Sequence, residues 1–266
     1  MTILDNIVAQ KKIEVAAAKQ AISRAELETG ALFSRKPLSL SDFLLDETRS
    51  GIIAEYKRQS PSKGIINANA TVSEVTQGYA AAGASALSVL TDSTFFGGHA
   101  DDLLEARRLN TLPILRKDFI IDAYQLYEAK AWGADVVLLI AAILTPEQIA
   151  DFGRQAKDMG LSVLLEVHNE AELQRSLCDM VDAVGVNNRN LSDFTVDIQT
   201  SFRLSAQIPD RFLKVSESAI DNPHVIVALR EAGFRGFLIG ENFMKTDKPG
   251  EAMKAFVGEV NARRGA

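Results

Sequence analysis

The chain has 266 residues, of which 47% are hydrophobic and 24% are charged, the balance of an ordinary globular protein rather than of a disordered or fibrous one. Its formal net charge of -6 argues against a nucleic-acid partner, because proteins that bind nucleic acid usually carry a basic face. A local basic pocket for a small anion is compatible with this charge.

Cysteine content and hydropathy narrow the class of protein further. The single cysteine, Cys178, excludes an intramolecular disulfide framework and any multi-cysteine metal site, so we expect a reducing cytoplasm. The longest apolar run, Val136 to Leu144, has about nine residues, well short of the roughly 20 needed to cross a bilayer. Asp5 and Glu14 near the N-terminus argue against a signal or transit peptide. We therefore expect no membrane partner.

Residues 1–48 predict a helical arm. Within residues 2–22, apolar residues recur at helical spacing with lysines between them, which predicts an amphipathic helix. The apolar positions of this helix are Leu4, Val8, Val15 and Ile22. Ser23-Arg24-Ala25-Glu26 has the capping-box pattern of a second, short helix, and a last helical turn is predicted around residues 43–45.

From Gly51 onward, short apolar runs alternate with longer amphipathic segments. The predicted strands are 51–57, 85–91, 112–116, 134–141, 161–167, 182–187, 212–216 and 235–240. The predicted helices are 71–82, 100–110, 122–132, 145–159, 169–178, 197–207, 221–232 and 249–263. The strand runs are apolar on both faces, as in Val136 to Ile140, which is typical of a parallel sheet covered by helices.

Eight such strand-helix units predict an α/β fold, a (β/α)₈ TIM barrel with an N-terminal helical extension. A doubly wound sheet would usually have fewer strands and a glycine-rich first turn, and no G-x-G-x-x-G follows any predicted strand. We predict one domain over residues 1–266, of which residues 1–48 form the helical arm.

Polar residues collect at the C-terminal ends of the predicted strands, where barrel enzymes hold their chemistry. They are Glu55, Lys57 and Ser60, then Lys117 and Asp118, then Glu166, then Asn187 and Arg189, then Ser216, Glu217 and Ser218, and last Gly240, Glu241 and Asn242. A lone charge near a strand end is usually just solvated, but a barrel brings all of these side chains into one mouth. Lysines and glutamates crowded there predict pKa values that are pushed apart and proton transfer in both directions.

Two kinds of segment predict an anion site, whereas the histidines do not predict a metal site. The loop Ser60-Pro61-Ser62-Lys63-Gly64 combines hydroxyls, a cation and a flexible glycine. The turns after the seventh and eighth strands stand where barrels commonly bind phosphate. The histidines are scattered, without a second histidine at i+3 or i+4, so no metal site is predicted. They are His99, His168 and His224.

Five motifs resemble those of the indole-3-glycerol-phosphate synthase family, in its monofunctional form. They are residues 54–62 (AEYKRQSPS), 115–120 (LRKDFI), 165–168 (LEVH), 186–191 (VNNRNL) and 216–218 (SES). The similarity extends over essentially the whole chain, including the arm, and the motifs occur in order at the predicted strand ends. It implies that the arm of residues 1–48 packs over the mouth of the barrel.

The resemblance implies a lyase of tryptophan biosynthesis. Such a decarboxylase converts 1-(2-carboxyphenylamino)-1-deoxyribulose 5-phosphate into indole-3-glycerol phosphate, with release of CO₂ and water. It implies no metal and no organic cofactor. The only partner it implies is the small anionic substrate, and we expect the chain to be a monomer or a weak homo-oligomer.

The resemblance also implies roles for twelve residues. The acid that activates the substrate carbonyl for ring closure is Lys117, and the proton transfers of dehydration are shared among Glu166, Glu55 and Lys57, without a division of roles between them. Substrate contacts are implied for Arg189 and Lys57 with anionic groups, Asn187 and Glu217 with ribulose hydroxyls, Ser60, Ser218 and Gly240 with phosphate, and Phe96 and Phe119 with the aromatic ring.

Two positions depart from the family pattern, and two other functions compete with it. Ala219 stands where some members have glycine, and Glu241 stands where some have serine, so position 241 is expected to offer phosphate only its backbone N–H. The first alternative is another phosphate-binding barrel enzyme, such as an isomerase of the phosphoribosylanthranilate type. The second is a phosphate-binding protein without catalysis.

Overall fold

Eight parallel strands close into a barrel in the computed structural model, which describes residues 2–190 and 194–264. Leu191, the last residue of the fourth motif, lies outside the described residues. The strands are β1 (Ile52–Tyr56), β2 (Gln59–Ser60), β3 (Gly64–Ile65), β4 (Ala86–Leu90), β5 (Ile114–Lys117), β6 (Val136–Ile140), β7 (Ser162–Val167), β8 (Ala183–Asn187), β9 (Leu213–Glu217) and β10 (Gly236–Ile239). The barrel runs from β1 through β4 to β10 and back to β1, while β2 and β3 form a separate hairpin.

Helices follow the barrel strands in the order that the sequence predicts. They are α1 (Ile3–Ala21), α2 (Arg24–Glu28), α3 (Leu40–Leu45), α4 (Val72–Ala81), α5 (Ala100–Leu109), α6 (Tyr124–Ala131), α7 (Pro146–Asp158), α8 (Glu170–Ser176), α9 (Gln199–Ser205), α10 (Pro223–Glu231), α11 (Glu241–Met244) and α12 (Pro249–Arg264). Every predicted barrel strand and its helix are present, with ends within two residues of the prediction. The TIM-barrel fold is therefore confirmed.

Side-chain caps explain why several helices begin where they do. Thr145 accepts a hydrogen bond from the backbone N–H of Gln148, whose side chain bonds back to the cap, and Pro146 occupies the first turn. Asn169 caps α8 in the same way by accepting from the N–H of Glu172. The second of these caps also fixes a carboxylate beside the barrel mouth.

The hairpin β2–β3 and the short helix α11 were not predicted. Both lie in segments that the sequence pattern identifies only as loops, after β1 and after β10. Each is too short to show a strand or helix period, since the hairpin pairs only Gln59 with Ile65 and Ser60 with Gly64.

The barrel interior is a packed apolar core, and helix α3 of the arm covers it at the end opposite the strand C-termini. Alternate strand residues such as Ile53, Leu115 and Leu164 are buried inside the barrel, and Leu40 and Leu44 of α3 belong to the same cluster. Burying one such leucine contributes about 2–3 kcal/mol. Helix α3 thereby fixes the arm to the end of the barrel opposite the strand C-termini.

The buried stripe of α1 differs from the predicted apolar face. The residues that face the barrel are Ile7, Lys11 and Val15, which follow each other at intervals of four, whereas Ile22 is 47% exposed. The prediction failed at this point because a lysine at position 11 reads as a solvent-facing residue until its partners on the barrel are known.

No helix within residues 2–190 and 194–264 combines the length and the apolar character needed to span a bilayer.

Candidate active site

A pocket of about 950 Å³ opens at the C-terminal ends of the barrel strands. Of the twelve residues that the sequence singles out, eleven line it: Glu55, Lys57, Ser60, Phe96, Lys117, Phe119, Glu166, Asn187, Arg189, Glu217 and Ser218. The twelfth, Gly240, lines an adjoining cleft that shares Glu55, Lys57 and Ser218 with the pocket. The fold thus brings together side chains that are up to 185 positions apart (240 minus 55) in the sequence.

The acid-base groups come from alternate barrel strands, as the inward-facing side chains of one barrel layer do. Glu55 lies on β1, Lys117 ends β5, Glu166 lies on β7 and Glu217 ends β9. The Nζ atom of Lys117 lies 3.2 Å from Oε2 of Glu166 and 3.8 Å from Oε2 of Glu217. Lys117 is therefore held between two carboxyl groups at the floor of the pocket.

A second acid-base pair stands on the opposite side of the barrel. Nζ of Lys57 lies 2.7 Å from Oε1 of Glu55, and the hydroxyl of Ser88 donates to the other carboxylate oxygen at 3.3 Å. Strand β1 and strand β7 are four strands apart around the closed barrel in either direction. The Glu55–Lys57 pair therefore faces Glu166 across the pocket.

Burial and charge push the pKa values of the mouth apart. Burial favours the neutral amine, yet the carboxylates of Glu166 and Glu217 outweigh it and raise the pKa of Lys117 well above its ordinary value. Burial opposes ionisation of Glu166, but the charges of Lys117 and His168 lower its pKa. Burial together with the negative charge of Glu166 raises the pKa of Glu217 to about 8. At neutral pH, Lys117 and Glu217 are therefore protonated, whereas Glu166 is ionised.

Two glycines make room for the buried carboxyl groups. A Cβ on Gly185 of β8 would overlap Oε1 of Glu217, and a Cβ on Gly240 would stand 2.6 Å from Oε1 of Glu55. Any side chain at either position would displace an acid-base group. Gly240 was predicted to contact phosphate, whereas Gly185 was not predicted, because it lies inside an apolar strand run without any distinguishing pattern.

A hydrogen-bond network fixes the ends of β8 and β9. The side-chain oxygen of Asn187 accepts from the Arg189 backbone N–H and from the Ser218 hydroxyl, each at 3.0 Å. Asn188 is buried and donates to the Ser216 hydroxyl at 3.0 Å and to the backbone oxygen of Glu217 at 2.9 Å. These bonds hold Glu217 and Ser218 in place before any ligand binds.

The turn after β9 has a backbone conformation that favours glycine. Ser218 has φ 65° and Ala219 has φ 61°, in the left-handed region that is strained for residues with a Cβ. A glycine would adopt this conformation without strain, so Ala219 carries a conformational cost at this turn. The turn directs backbone groups toward the cleft lined by Gly240.

Charged residues at the rim join the loop after β1 to the loops after β8 and β10. Arg189 lies 3.3 Å from one carboxylate oxygen of Glu241, and Lys63 lies 3.4 Å from the other. The Glu241 side chain therefore contacts two cations, as well as standing at the start of α11. Arg189 and Lys63 line the clefts where an anion would enter.

Two aromatic rings form an apolar wall of the pocket. The ring centroids of Phe96 and Phe119 are 5.8 Å apart at an interplanar angle of 38°. The residues Ile3, Leu4 and Ile7 of the arm also line this pocket. A flat aromatic group would find apolar contacts here, with the acid-base pairs close by.

The arm is anchored beside the pocket by a buried lysine. Nζ of Lys11 lies 2.9 Å from Asp92 and 3.0 Å from Asp118, and Asp118 follows Lys117 directly. Asp92 also accepts hydrogen bonds from the backbone N–H groups of Phe95 and Phe96, at 2.8 and 3.2 Å. One lysine of the arm therefore contacts both loops that carry the aromatic wall.

The sequence did not predict a role for Lys11 or for His168. The local partner of Lys11, Glu14 at 2.6 Å, is a pattern common on exposed helix faces, while its partners on the barrel follow it by 81 and 107 residues (92 and 118 minus 11). For His168 a signal existed, since residues i and i+2 of a strand face the same side, and His168 follows Glu166 by two. Nε2 of His168 lies 3.4 Å from Oε1 of Glu166.

The comparisons with known proteins agree on one family. Residues 4–256 match the family model described as indole-3-glycerol phosphate synthase. An indole-3-glycerol phosphate synthase of Bacteroides thetaiotaomicron is 52% identical over 256 residues, covering 96% of this chain and 97% of the relative. One of Polaromonas naphthalenivorans is 41% identical over 263 residues, covering 97% and 99%.

Solved structures share the architecture at low sequence identity. A chain of the tryptophan synthase complex from Pyrococcus furiosus superposes with a TM-score of 0.58 at 17% identity, over 79% of this chain and 97% of that chain. At this identity the likeness shows the fold alone.

Proposed function

The chain belongs to the indole-3-glycerol phosphate synthase family, and from that premise we propose how the residues of the barrel mouth divide the chemistry. The reaction is that of a lyase in tryptophan biosynthesis. It closes the indole ring of 1-(2-carboxyphenylamino)-1-deoxyribulose 5-phosphate and forms indole-3-glycerol phosphate, CO₂ and water. The observation that carries the division of roles is the presence of two acid-base pairs on opposite sides of one pocket.

Lys117 is the general acid of ring closure. The aromatic carbon that bears the carboxylate attacks the C2′ ketone, and the ketone oxygen becomes an alkoxide, a stronger base than an amine. An ammonium that its neighbours keep protonated is always in the right state to donate to that oxygen. Glu166, at 3.2 Å, holds the ammonium in position. Loss of CO₂ then restores the aromatic ring.

The Glu55–Lys57 pair carries out dehydration. Lys57 donates a proton to the departing hydroxyl, and Glu55 removes a proton from the neighbouring methylene carbon. The 2.7 Å contact between the two side chains lets the abstracted proton return to Lys57 afterwards, so this pair restores itself within one turnover.

The remaining pocket residues bind and orient the substrate. The phosphate is assigned to Ser218 and Gly240, which line one cleft together with Lys63, and to Ser60, which lines the adjoining pocket. Arg189 supplies a charge-assisted contact to an anionic group of the substrate.

Two further side chains hold the sugar, and two hold the ring. Glu217, which keeps its proton at neutral pH, donates a hydrogen bond to a ribulose hydroxyl, and Asn187 orients a neighbouring hydroxyl. Phe96 and Phe119 pack against the anthranilate ring.

The arm of residues 1–48 works as one unit with the barrel, since α1 lines the pocket and α3 seals the far end. We place the enzyme in the cytoplasm, which suits a chain whose only cysteine is unpaired.

A product assay tests this function. The chain incubated with the carboxyphenylamino-deoxyribulose phosphate should generate indole fluorescence and one CO₂ for each substrate consumed. An isomerase would consume substrate without CO₂, and a binding protein would leave the substrate intact. Either outcome would contradict the proposed function.

A further inference from the structure

One buried histidine beside the pocket has no role in the chemistry described above. The side chain of His168 is 10% exposed and lies between two glutamates. Its Nε2 atom is 3.4 Å from Oε1 of Glu166, and its Nδ1 atom is 3.1 Å from Oε2 of Glu172. Within the described residues, Nε2 is buried and forms no hydrogen bond of good geometry. The ring therefore bridges Glu166 to a carboxylate outside the pocket.

Glu172 is fixed at the border of a second cleft, which adjoins the pocket and shares Leu4, Asn187 and Arg189 with it. Its oxygens accept from the backbone N–H of His168 at 2.8 Å and from the side chain of Asn169 at 3.0 Å. The cleft has a volume of about 1040 Å³, and Glu172 and His168 line it together with Asp197 and Arg203. The side chains of Asp197 and Arg203 are 55% and 61% exposed, so the cleft reaches solvent on the side of Glu166 that faces away from Lys117.

The reaction itself requires a proton from solvent in each turnover. The departing oxygen leaves as water and needs two hydrogens, of which the substrate methylene group supplies one. The carboxylate leaves as CO₂ and supplies none. One proton per turnover must therefore come from outside, and it must reach the group that donated to the ketone oxygen.

The two acid-base pairs differ in whether each recovers from the substrate the proton that it donates. Glu55 gains the methylene proton while Lys57 loses one, so that pair balances internally. Lys117 gives a proton to the ketone oxygen and receives none from the substrate. The proton deficit therefore lies at Lys117, which is in contact with Glu166.

We propose that Glu172 and His168 form a proton-entry relay that returns one proton per turnover from the solvent cleft, through Glu166, to Lys117. This inference rests on the roles proposed above for Lys117 and Glu166. Glu172 takes a proton from water and passes it to Nδ1 of His168 as Nε2 releases its own to Glu166. Glu166 delivers that proton to the neutral amine of Lys117. The ring is left with its hydrogen on Nδ1, so it rotates to bring that N–H to Glu166 and its bare nitrogen to Glu172 before the next turnover. Each transfer breaks one O–H or N–H bond and forms another, so no oxidant or co-reactant is needed.

The charges around the ring suit this task. Carboxyl groups of Glu166 on β7, Glu172 on α8 and Glu217 on β9 all act on His168. Burial favours the neutral ring, but the hydrogen bond to Glu172 and the charge of Glu166 outweigh it and raise the pKa of His168 above its ordinary value. Across the cleft, Arg203 is paired with Asp197 at 2.9 Å. Each ring nitrogen of His168 therefore faces a carboxyl group with which it can exchange a proton.

The variant His168→Gln separates a relay from a structural role. With enzyme in excess, the first turnover uses the proton that Lys117 already carries, so its rate should stay within about threefold of the unsubstituted enzyme. With substrate in excess, turnover should fall roughly 10-fold or more, because returning the proton becomes rate-limiting. Added imidazole should restore most of the loss. His224→Gln, at an exposed histidine of α10, is the matched control and should change neither rate.

Glu172→Gln supplies a second, independent test if His168→Gln fails to fold. It should slow multiple turnover and spare the first turnover. Equal losses in both regimes without rescue by imidazole would overturn the relay in favour of a structural role. Unchanged rates in both variants would show that protons enter through the open mouth, which would also overturn it. Glu166→Gln should already slow the first turnover, and if it does not, the roles proposed for the mouth are at fault rather than the relay alone.

Discussion

Two neighbouring clusters in this protein both combine two cations with several carboxyl groups and behave differently. The mouth cluster consists of Glu55, Lys57, Lys117, Glu166 and Glu217, and the anchor cluster consists of Lys11, Glu14, Asp92, Arg116, Asp118 and Glu128. They meet at β5, where Lys117 belongs to one cluster and Asp118 to the other.

The difference lies in how completely the carboxyl oxygens are bonded. In the anchor cluster, one oxygen of Asp118 meets Lys11 and a backbone N–H, and the other meets Thr91 and Arg116, at 2.6 to 3.1 Å. Burial opposes ionisation, but Arg116 and Lys11 lower the pKa of Asp118 to about 2. In the mouth, Oε1 of Glu217 is buried without a partner among the described residues. With both of its oxygens bonded, Asp118 holds one protonation state, whereas Glu217, with one oxygen unpartnered, is ready to exchange a proton and to bond to a ligand.

The largest effect should come from removing the lysine of the mouth. Lys117→Ala should lower turnover by roughly 10²–10⁴-fold with a smaller change in substrate binding, because a positioned general acid is lost. Its unfolding temperature should stay close to that of the unsubstituted chain. Lys12→Ala, at an exposed position of α1, is the control and should change neither quantity. Undiminished turnover in Lys117→Ala would refute the assignment of the acid.

Removing the lysine of the anchor should do the opposite. Lys11→Met keeps the aliphatic stem but leaves the buried Asp92 without its cation and Asp118 with Arg116 alone, so the free energy of unfolding should fall by about 3–5 kcal/mol. Urea unfolding measures this loss, with Lys12→Met as the exposed control. A loss below about 1 kcal/mol would mean that the anchor contributes as little as a surface ion pair.

The two clusters should also give opposite dependences of stability on pH. Asp118 has a lowered pKa, so its contribution is present above its ordinary value of 3.8 and is lost as the pH falls toward about 2, a loss of about 2 kcal/mol. Glu217 has a raised pKa, so stability should fall as the pH rises from 4.5 through about 8.

Urea unfolding at a series of pH values measures both slopes. Glu217→Gln should reduce the slope above pH 4.5 and leave the acid slope of Asp118 in place. If the substitution leaves the slope above pH 4.5 unchanged, Glu217 does not hold its proton in the folded state.

A smaller effect is expected at the rim of the mouth, where Arg189 contacts Glu241 at 3.3 Å and is partly solvated. Arg189→Ala should raise KM about 10-fold or more, as expected for the loss of a charged hydrogen bond to substrate, with a smaller change in kcat. Arg211→Ala, at an exposed arginine paired with Asp179, is the control. Lost turnover with unchanged KM would assign Arg189 to the chemistry rather than to anion binding.

The barrel and the mouth residues could be predicted because local patterns specify them. Strand runs that are apolar on both faces, such as Val136 to Ile140, indicate a parallel sheet covered by helices when strands and helices alternate along the chain. Once the barrel is identified, its geometry brings Glu55, Lys117 and Glu166 to one mouth without further information.

Other features of the site depend on contacts between distant parts of the chain and have no local signature. The burial of Lys11 depends on Asp92 and Asp118, and the protonation of Glu217 depends on the negative charge of Glu166 inside a desolvated pocket. Predicting that His168 lies between two glutamates would have required the position of α8, which carries Glu172. Such properties arise from tertiary packing, which neither spacing nor composition encodes.

The central claim is that Lys117 donates to the C2′ ketone oxygen in ring closure, and that the Glu55–Lys57 pair acts in the later dehydration step. A crystal structure with a reduced substrate analogue, in which a hydroxyl replaces the C2′ ketone, tests it most directly. We predict that hydroxyl oxygen about 3 Å from Nζ of Lys117, with phosphate between Ser218 and Gly240. A hydroxyl bound to Lys57 instead, with Lys117 out of reach, would contradict the claim.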